Sequence, residues 1–367
     1  MHVASLAITD FRNLAAATLT PDPTGTTVIT GRNGTGKTSL LEAVAYLSTL
    51  QSFRGSPKEA MVRSGAEHAI LRARTVVGDR SVDIEAELSA VGRSRTMVNR
   101  QTVRRRSDLH DALRTTVFSP DDIGVVRGGP AERRRFLDEA LSVIDPHAAV
   151  YVEEVEKILR QRTALLRRSG GRLAPEVATT LDVWDERLDA TGTALVEARQ
   201  ALTDRLVPVV AEHYARLSGS DVVVGMTYRR SWSGRLLEAL AASRADEAVR
   251  GMTLVGPHRD ELELTLAGLA GRTHASQGEQ RSLALAIRLA AHQLATERLG
   301  SAPVLLLDDV FSELDPFRAR ALLAGLPPGQ ALLTTAQPPP PEVEAAAVYT
   351  VDPAGVVSPG SGPGGDR

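Results

Sequence analysis

Gly31, Gly36, Lys37 and Thr38 stand in the spacing G-x-x-x-x-G-K-[ST] inside the string TTVITGRNGTGKTSLLEAV. These residue types at this spacing bind phosphate. Glycines let backbone N–H groups curl round a β-phosphate with no Cβ in the way, and the helix that follows adds its positive end. Lys37 would reach the β- and γ-phosphates, and the Thr38 hydroxyl would ligate Mg²⁺. The candidate nucleotide set is therefore Gly31, Arg32, Asn33, Gly34, Thr35, Gly36, Lys37, Thr38 and Ser39. Lysine is rare in this chain, three (Lys37, Lys58, Lys157) against 40 arginines, so Lys37 marks a place that wants an ammonium.

A second constellation lies in APVLLLDDVFSELD. Val304 to Leu307 form an apolar run, and Asp308 and Asp309 follow at the edge where ligands of open α/β sheets gather. Asp308 would belong to the Mg²⁺ shell; Asp309 would orient or deprotonate an attacking water. Asp309 and Lys37 are the catalytic candidates. A third stretch, SQGEQ at 276–280, opens a helix on polar residues. Ser276 Oγ and the N–H groups around Gly278, with Gln280, would make a second anion site. One phosphate loop already serves one face of a nucleotide, so this turn is most useful in trans, on another subunit's nucleotide. A decorated helix cap is the plain alternative.

The elements that must position these groups come from both ends of the chain. Residues 3–9 and 26–30 read as strands, 37–51 as a helix, and 69–98 as antiparallel hairpins. Residues 131–168 and 176–217 read as long charged helices joined by the turn RSGGRLAP, with Pro208 set to kink the second. Leu181, Trp184, Leu188, Leu195 and Leu202 fall near heptad spacing, as expected of helices packing in a small lobe. After about 250 the strand-and-helix pattern returns through GMTLVG, ELELTLAG, a helix at 278–298 and QALLTTAQ. From Pro338 on, the chain can hold at most an edge strand, and SPGSGPGGDR reads as a disordered tail.

The 367 residues allow one large domain or two modest ones. A formal net charge of −2 gives no global sign of nucleic acid or membrane. No cysteine is present, which excludes disulfides and thiolate metal sites and fits a cytoplasmic protein. The N-terminus lacks signal-peptide features, and no apolar run reaches the roughly 20 residues of a membrane span.

The order of phosphate loop, long insertion, S-x-G-x-Q turn, acidic strand and SELD resembles ABC-type ATPases, and the insertion resembles their SMC-like branch. ITDFRNL, SFRG, VNRQTVRRRSDL, VFSPDDIGVVRGGPAERRRFLD, LVGPHRDEL and LLLDDVFSELD are together similar to the RecF family of bacterial recombination mediators, from residue 1 to about 337. The resemblance implies an α/β fold, an ABC-type P-loop ATPase head of mixed sheet and flanking helices with an inserted helical lobe. Residues 1–118 and 246–337 would form the ATPase lobe, 119–245 the helical lobe with a short αα-hairpin arm, and 338–367 an edge segment and tail.

The resemblance further implies a homodimer when ATP is bound, with Ser276, Gly278 and Gln280 reading the partner's nucleotide and Ser312 and Asp315 near the interface. It implies weak, DNA-stimulated ATP hydrolysis, binding at single-strand/double-strand DNA junctions or gaps, and RecA loading with RecR, and indirectly RecO, in repair, replication restart and the SOS response. Glu279 and Asp309 depart from the family pattern. Thr335 and Gln337 occupy the switch position, and the FSPDD turn or Gln51 the Q-loop position. GPHRD lacks the asparagine that a kinase loop requires five residues after its aspartate, so Arg259 reads as structural or phosphate-facing. Six arginines in fourteen residues (Arg93, Arg95, Arg100, Arg104, Arg105, Arg106) and the cluster Arg133, Arg134, Arg135 are candidates for DNA phosphates. A transporter's nucleotide-binding subunit and a non-hydrolysing ATP-dependent DNA scaffold are the alternatives; the long helical arm argues against the first.

Overall fold

The computed structural model describes residues 1–326 and 328–360. Its contacts divide the chain into two units: residues 1–122, 216–218 and 288–367, and residues 123–215 and 219–287.

The first unit holds two six-stranded sheets. One is antiparallel, in the order Leu14–Leu19, His2–Phe11, His68–Val77, Arg80–Ser89, Arg95–Val98, Gln101–Thr102. Its strands alternate as a half-buried sheet should: Ala69, Leu71 and Ala73 point inward while Arg72 and Arg74 face out opposite Glu85 and Asp83. The other sheet runs Val357–Pro359, Ala345–Val351, Thr26–Thr30, Ala331–Thr335, Val304–Asp308, Thr115–Phe118. All of its pairings are parallel except that of Val357–Pro359.

The helix Lys37–Thr49 packs against strands of both sheets. That position explains its apolar circumference: Leu40, Leu41, Ala43, Val44, Ala45 and Leu47 are all buried and join one core with Leu6, Leu71, Leu306 and Leu332. Burying each leucine contributes roughly 1.5–3 kcal/mol, so the helix that carries Lys37 and Thr38 is held firmly in place.

The second unit is mainly helical, with Pro130–Ile144, Pro146–Arg168, Pro175–Ser218 (whose last turn belongs to the first unit) and Leu236–Arg250. Leu181, Leu188, Leu195 and Leu202 are buried as their spacing requires. Three details differ from the sequence reading. The helical run at 131–168 is two helices, because Asp145 caps a new one at Pro146, accepting from the His147 and Ala148 amides. GMTLVG is a turn, whose Thr253 hydroxyl takes a hydrogen bond from the buried Arg162. Ala345–Val351 is not an edge: Val357–Pro359 pairs outside it. The expected tail thus begins with a strand, and its last residues, 361–367, lie outside the described residues.

The division also differs from the boundaries read from the sequence, falling at 122/123 and 287/288. Residues 246–287 join the helical unit through an unforeseen strand, Val224–Arg229, which pairs with Glu261–Leu266. Arg133 and Arg199 strengthen the tie, binding Glu261 and the Pro257 carbonyl.

Candidate nucleotide site

Strand Thr26–Thr30 ends in a loop whose glycines take backbone angles few other residues adopt, with φ of 153° at Gly31, 84° at Gly34 and 113° at Gly36. Two of them have no room for a side chain. A Cβ at Gly31 would lie 2.5 Å from the Val351 carbonyl oxygen, and one at Gly36 would lie 2.6 Å from Leu14 Cδ2. The loop curls round the Lys37 ammonium, which donates to the Gly31 and Arg32 carbonyls at 2.8 and 3.0 Å. Burial lowers the Lys37 pKa, and the nearby Asp309 and Asp308 oppose that shift. Thr35 is buried and donates to the Arg32 carbonyl, while Arg32, Asn33 and Gly34 form an exposed rim.

The loop is braced by residues the motif does not contain. Asn13, in the turn between the first two strands, donates to the Gly34 carbonyl at 3.1 Å and accepts from Ser39 Oγ at 3.0 Å. Ser39 therefore supports the loop: its hydroxyl faces Asn13. Beside it, Arg12 grips the fully buried Glu42 with two hydrogen bonds, and Ser52 donates to the same carboxylate. Glu42 lies one helical turn after Thr38, so this chain of contacts ties three segments beneath the loop. Arg12 and Asn13 belong to the string ITDFRNL, in which nothing local encodes what they touch.

The acidic pair meets the phosphate loop. Thr38 Oγ1 donates to Asp308 Oδ1 at 2.8 Å, and Thr334, on the neighbouring strand, donates to the same oxygen at 2.7 Å. Burial raises the Asp308 pKa, while the hydrogen bonds from Thr334 and Thr38 hold it down; Asp309's charge raises it further and Arg54's lowers it. Arg54, exposed in the SFRG loop, is a cation that sequence reasoning did not assign to this site. Asp309 adopts a left-handed backbone, φ 49°, and its amide donates to Thr334 Oγ1 and to the Thr334 carbonyl, each at 3.1 Å. Its Oδ1 is buried with no hydrogen-bond partner.

These residues fit a nucleoside triphosphate with Mg²⁺. The cradle is closed to side chains at Gly31 and Gly36, the ammonium is inside it, and an unpartnered carboxylate oxygen stands beside a held one. Among the described residues no group of three His, Cys, Asp or Glu side chains is gathered for a metal. A sparse oxygen set of Thr38 and Asp308 suits Mg²⁺, which keeps most of its waters.

The S-x-G-x-Q turn lies in the second unit and opens the helix Gln277–Leu299. Ser276 and Glu279 close a reciprocal capping box: the Ser276 amide donates to Glu279 Oε2 at 2.7 Å, and the Glu279 amide to Ser276 Oγ at 3.3 Å. Glu279, the departure from the family pattern, is thus the ordinary third residue of a cap. Gly278 is half-buried. Gln280 does not belong to the exposed set. It is buried, donating to the Gly271 and Arg272 carbonyls and accepting from Arg127 Nε at 2.6 Å, because its helical position faces inward.

Ser312 is exposed and donates to the Asp309 carbonyl. Asp315 caps the helix Pro316–Ala324 and pairs with Arg318. Thr335 donates to the Gln337 carbonyl rather than to the acids. In the FSPDD turn, Asp122 accepts from the Ser119 amide and from Arg288.

The arginine candidates separate sharply. Arg133 is buried and forms a two-pronged pair with Glu261, Arg134 donates to the Asp260 carbonyl, and Arg135 pairs with Glu139. Arg133 and Arg134 thus tie their helix to the 260–261 segment, while Arg135 makes a same-helix pair at the surface. Arg259 likewise donates to the Thr253 carbonyl. By contrast, Arg93, Arg95, Arg100, Arg104 and Arg105 are exposed. The Arg106 side chain lies outside the described ones.

A phosphate-binding helix between an antiparallel sheet and a parallel one, with an acidic strand at its mouth, defines an ABC-type ATPase head of the SMC kind. The RecF/RecN/SMC N terminal domain family matches residues 2–330, and the chain belongs to that family. Within it the chain is a member of the RecF proteins. It is 43% identical over 359 residues to the DNA replication and repair protein RecF of Frankia alni, covering 92% of this chain and 93% of that one. To the RecF of Streptomyces avermitilis it is 41% identical over 352 residues, with the same shares covered. Among solved structures it resembles the recombination mediator protein RecF-ATP in the RecFOR pathway, with a TM-score of 0.88, 28% identity and 98% of each chain covered. An Smc head bound to the C-winged helix domain of ScpA shares the fold, at TM-score 0.57 and 16% identity. No helix among the described residues is long and apolar enough to cross a membrane.

Proposed function

We propose that this chain is a cytoplasmic recombination mediator that binds ATP with Mg²⁺, dimerises in that state and hydrolyses ATP weakly when DNA is present. On DNA it recognises single-strand/double-strand junctions or gaps and, with RecR and indirectly RecO, promotes RecA loading in repair, replication restart and the SOS response. The observation that carries the reading is the meeting of Thr38 with Asp308 beside the glycine cradle of Lys37.

Bound Mg²⁺ supplies positive charge to the β- and γ-phosphates. Thr38 turns its hydroxyl proton to Asp308, which leaves its oxygen lone pairs for the cation. Lys37 exchanges two loop carbonyls for phosphate oxygens. Asp309, with Oδ1 unpartnered, orients or deprotonates the attacking water. In the capping box Ser276 Oγ accepts the Glu279 amide, and its O–H, which faces the Glu279 carboxylate, turns to a partner's nucleotide, with Gly278 allowing close approach. Ser312 and the segment at Asp315 line the same interface. Arg93, Arg95, Arg100, Arg104 and Arg105 are the DNA contacts, sequence-independent because phosphates carry no base information.

The test is molar mass by light scattering, without nucleotide and then with ATP and Mg²⁺. The mass doubles only with ATP, and Ser276→Arg abolishes the doubling while ATP binding persists. A mass that never changes, even with DNA, removes the ATP-dependent dimer.

A further inference from the structure

We propose that Thr334 is a positioning residue for the acidic pair, through one buried hydroxyl that serves both carboxylates' mounts at once. The inference rests on the reading of this site as an Mg²⁺–nucleotide site.

Strand Ala331–Thr335 runs parallel to Val304–Asp308, with Thr334 in register with Asp308. Thr334 is fully buried. A hydroxyl has one proton and two lone pairs, and here each kind is used. The proton goes to Asp308 Oδ1 at 2.7 Å, and a lone pair accepts the Asp309 amide at 3.1 Å. Asp308 Oδ1 thus receives Thr38 from one side and Thr334 from the other, which fixes the carboxylate's rotation and through it the direction of the Thr38 hydroxyl. The second contact holds Asp309 at φ 49°, a conformation that aspartate tolerates but does not prefer. That turn sets where the unpartnered Oδ1 sits. The Thr334 carbonyl also accepts the Asp309 amide, so the contribution peculiar to the hydroxyl is greatest at Asp308.

The test compares Thr334→Val, which keeps shape and removes the hydroxyl, with Thr334→Ser, which restores it. Fluorescent ATP-analogue affinity is read with Mg²⁺ and with EDTA, alongside the thermal midpoint. Thr334→Val should bind as wild type in EDTA and lose about ten- to a hundredfold of the affinity that Mg²⁺ adds, the range for a hydrogen bond to a charged group. Thr334→Ser should recover it to within about threefold. Should the valine variant not fold, Thr334→Ala carries the same comparison. The proposal is overturned if the hydroxyl-free variant keeps the full Mg²⁺ enhancement, if serine fails to rescue it, or if affinity falls equally in EDTA and Mg²⁺. A wild-type chain with no Mg²⁺ enhancement overturns the nucleotide-site reading itself, and the role of Thr334 with it.

Discussion

Thr38 Oγ1 lies 2.8 Å from Asp308 Oδ1 across 270 positions of sequence, so a single hydrogen bond joins the two halves of the site. Asp308 is the held carboxylate, and Asp309 is the one with an oxygen to offer. Asp309→Asn should therefore lower kcat about 10²–10⁴-fold, the usual contribution of a positioned base, with nucleotide affinity nearly unchanged. Steady-state hydrolysis beside equilibrium binding separates the two. Unchanged hydrolysis would move the catalytic role elsewhere.

The exposed arginines and the buried ones should behave oppositely on DNA. Replacing Arg104 and Arg105 together with alanine should weaken binding to any sequence and reduce the slope of log K against log salt by about two. Arg133→Ala should leave that slope alone while destabilising the fold, because it strands the Glu261 partner. A salt titration of DNA affinity decides the matter, and a slope unaltered in the double variant would take the DNA from the loop at Arg104 and Arg105.

Glu279 should matter to stability more than to assembly. Glu279→Ala opens the capping box at an exposed site and should cost no more than about 1 kcal/mol, visible in the urea midpoint. ATP-dependent doubling of mass should survive. Loss of the dimer with stability intact would mean that the carboxylate faces the partner instead of its own helix.

The helical arm depends on one buried cation. Arg162, fully buried, donates to Asp185, to Glu247 and to the Thr253 hydroxyl. Arg162→Met would leave two carboxylates short of their counter-charge, at a cost of about 3–5 kcal/mol. Chemical denaturation followed by helical circular dichroism reads this directly; a loss under 1 kcal/mol would show that Arg244, which also pairs with Asp185, suffices.

Acid should destabilise the protein well above the carboxylate range. Burial pushes His110, His258 and His292 down to about 4 from 6.5. Between those values the unfolded chain takes up protons that the native state refuses, so stability is complete above pH 6.5 and falls as the pH drops towards 4. Each histidine lowers the folding constant by up to about tenfold per pH unit in that window. Thermal midpoints from pH 7.5 to 4.5 should fall, and His292→Gln should flatten the decline.

The phosphate loop, the acidic strand and the outline of the fold were legible in the sequence because their chemistry is local. Glycines at Gly31 and Gly36, a lysine opening a helix and an apolar run ending in two aspartates need only their neighbours to be meaningful. The alternation that made antiparallel strands of 69–98 is equally local. What Arg133 and Gln280 do was settled by tertiary structure, since the same residue type on a helix serves solvent or core according to which face a distant strand covers. Arg12 on Glu42, Asn13 on Gly34 and Thr334 on Asp308 are likewise products of strand register and loop packing. Those contacts join positions far apart in the chain, and no spacing along the sequence encodes them; only the folded backbone sets which side chains come within hydrogen-bonding reach.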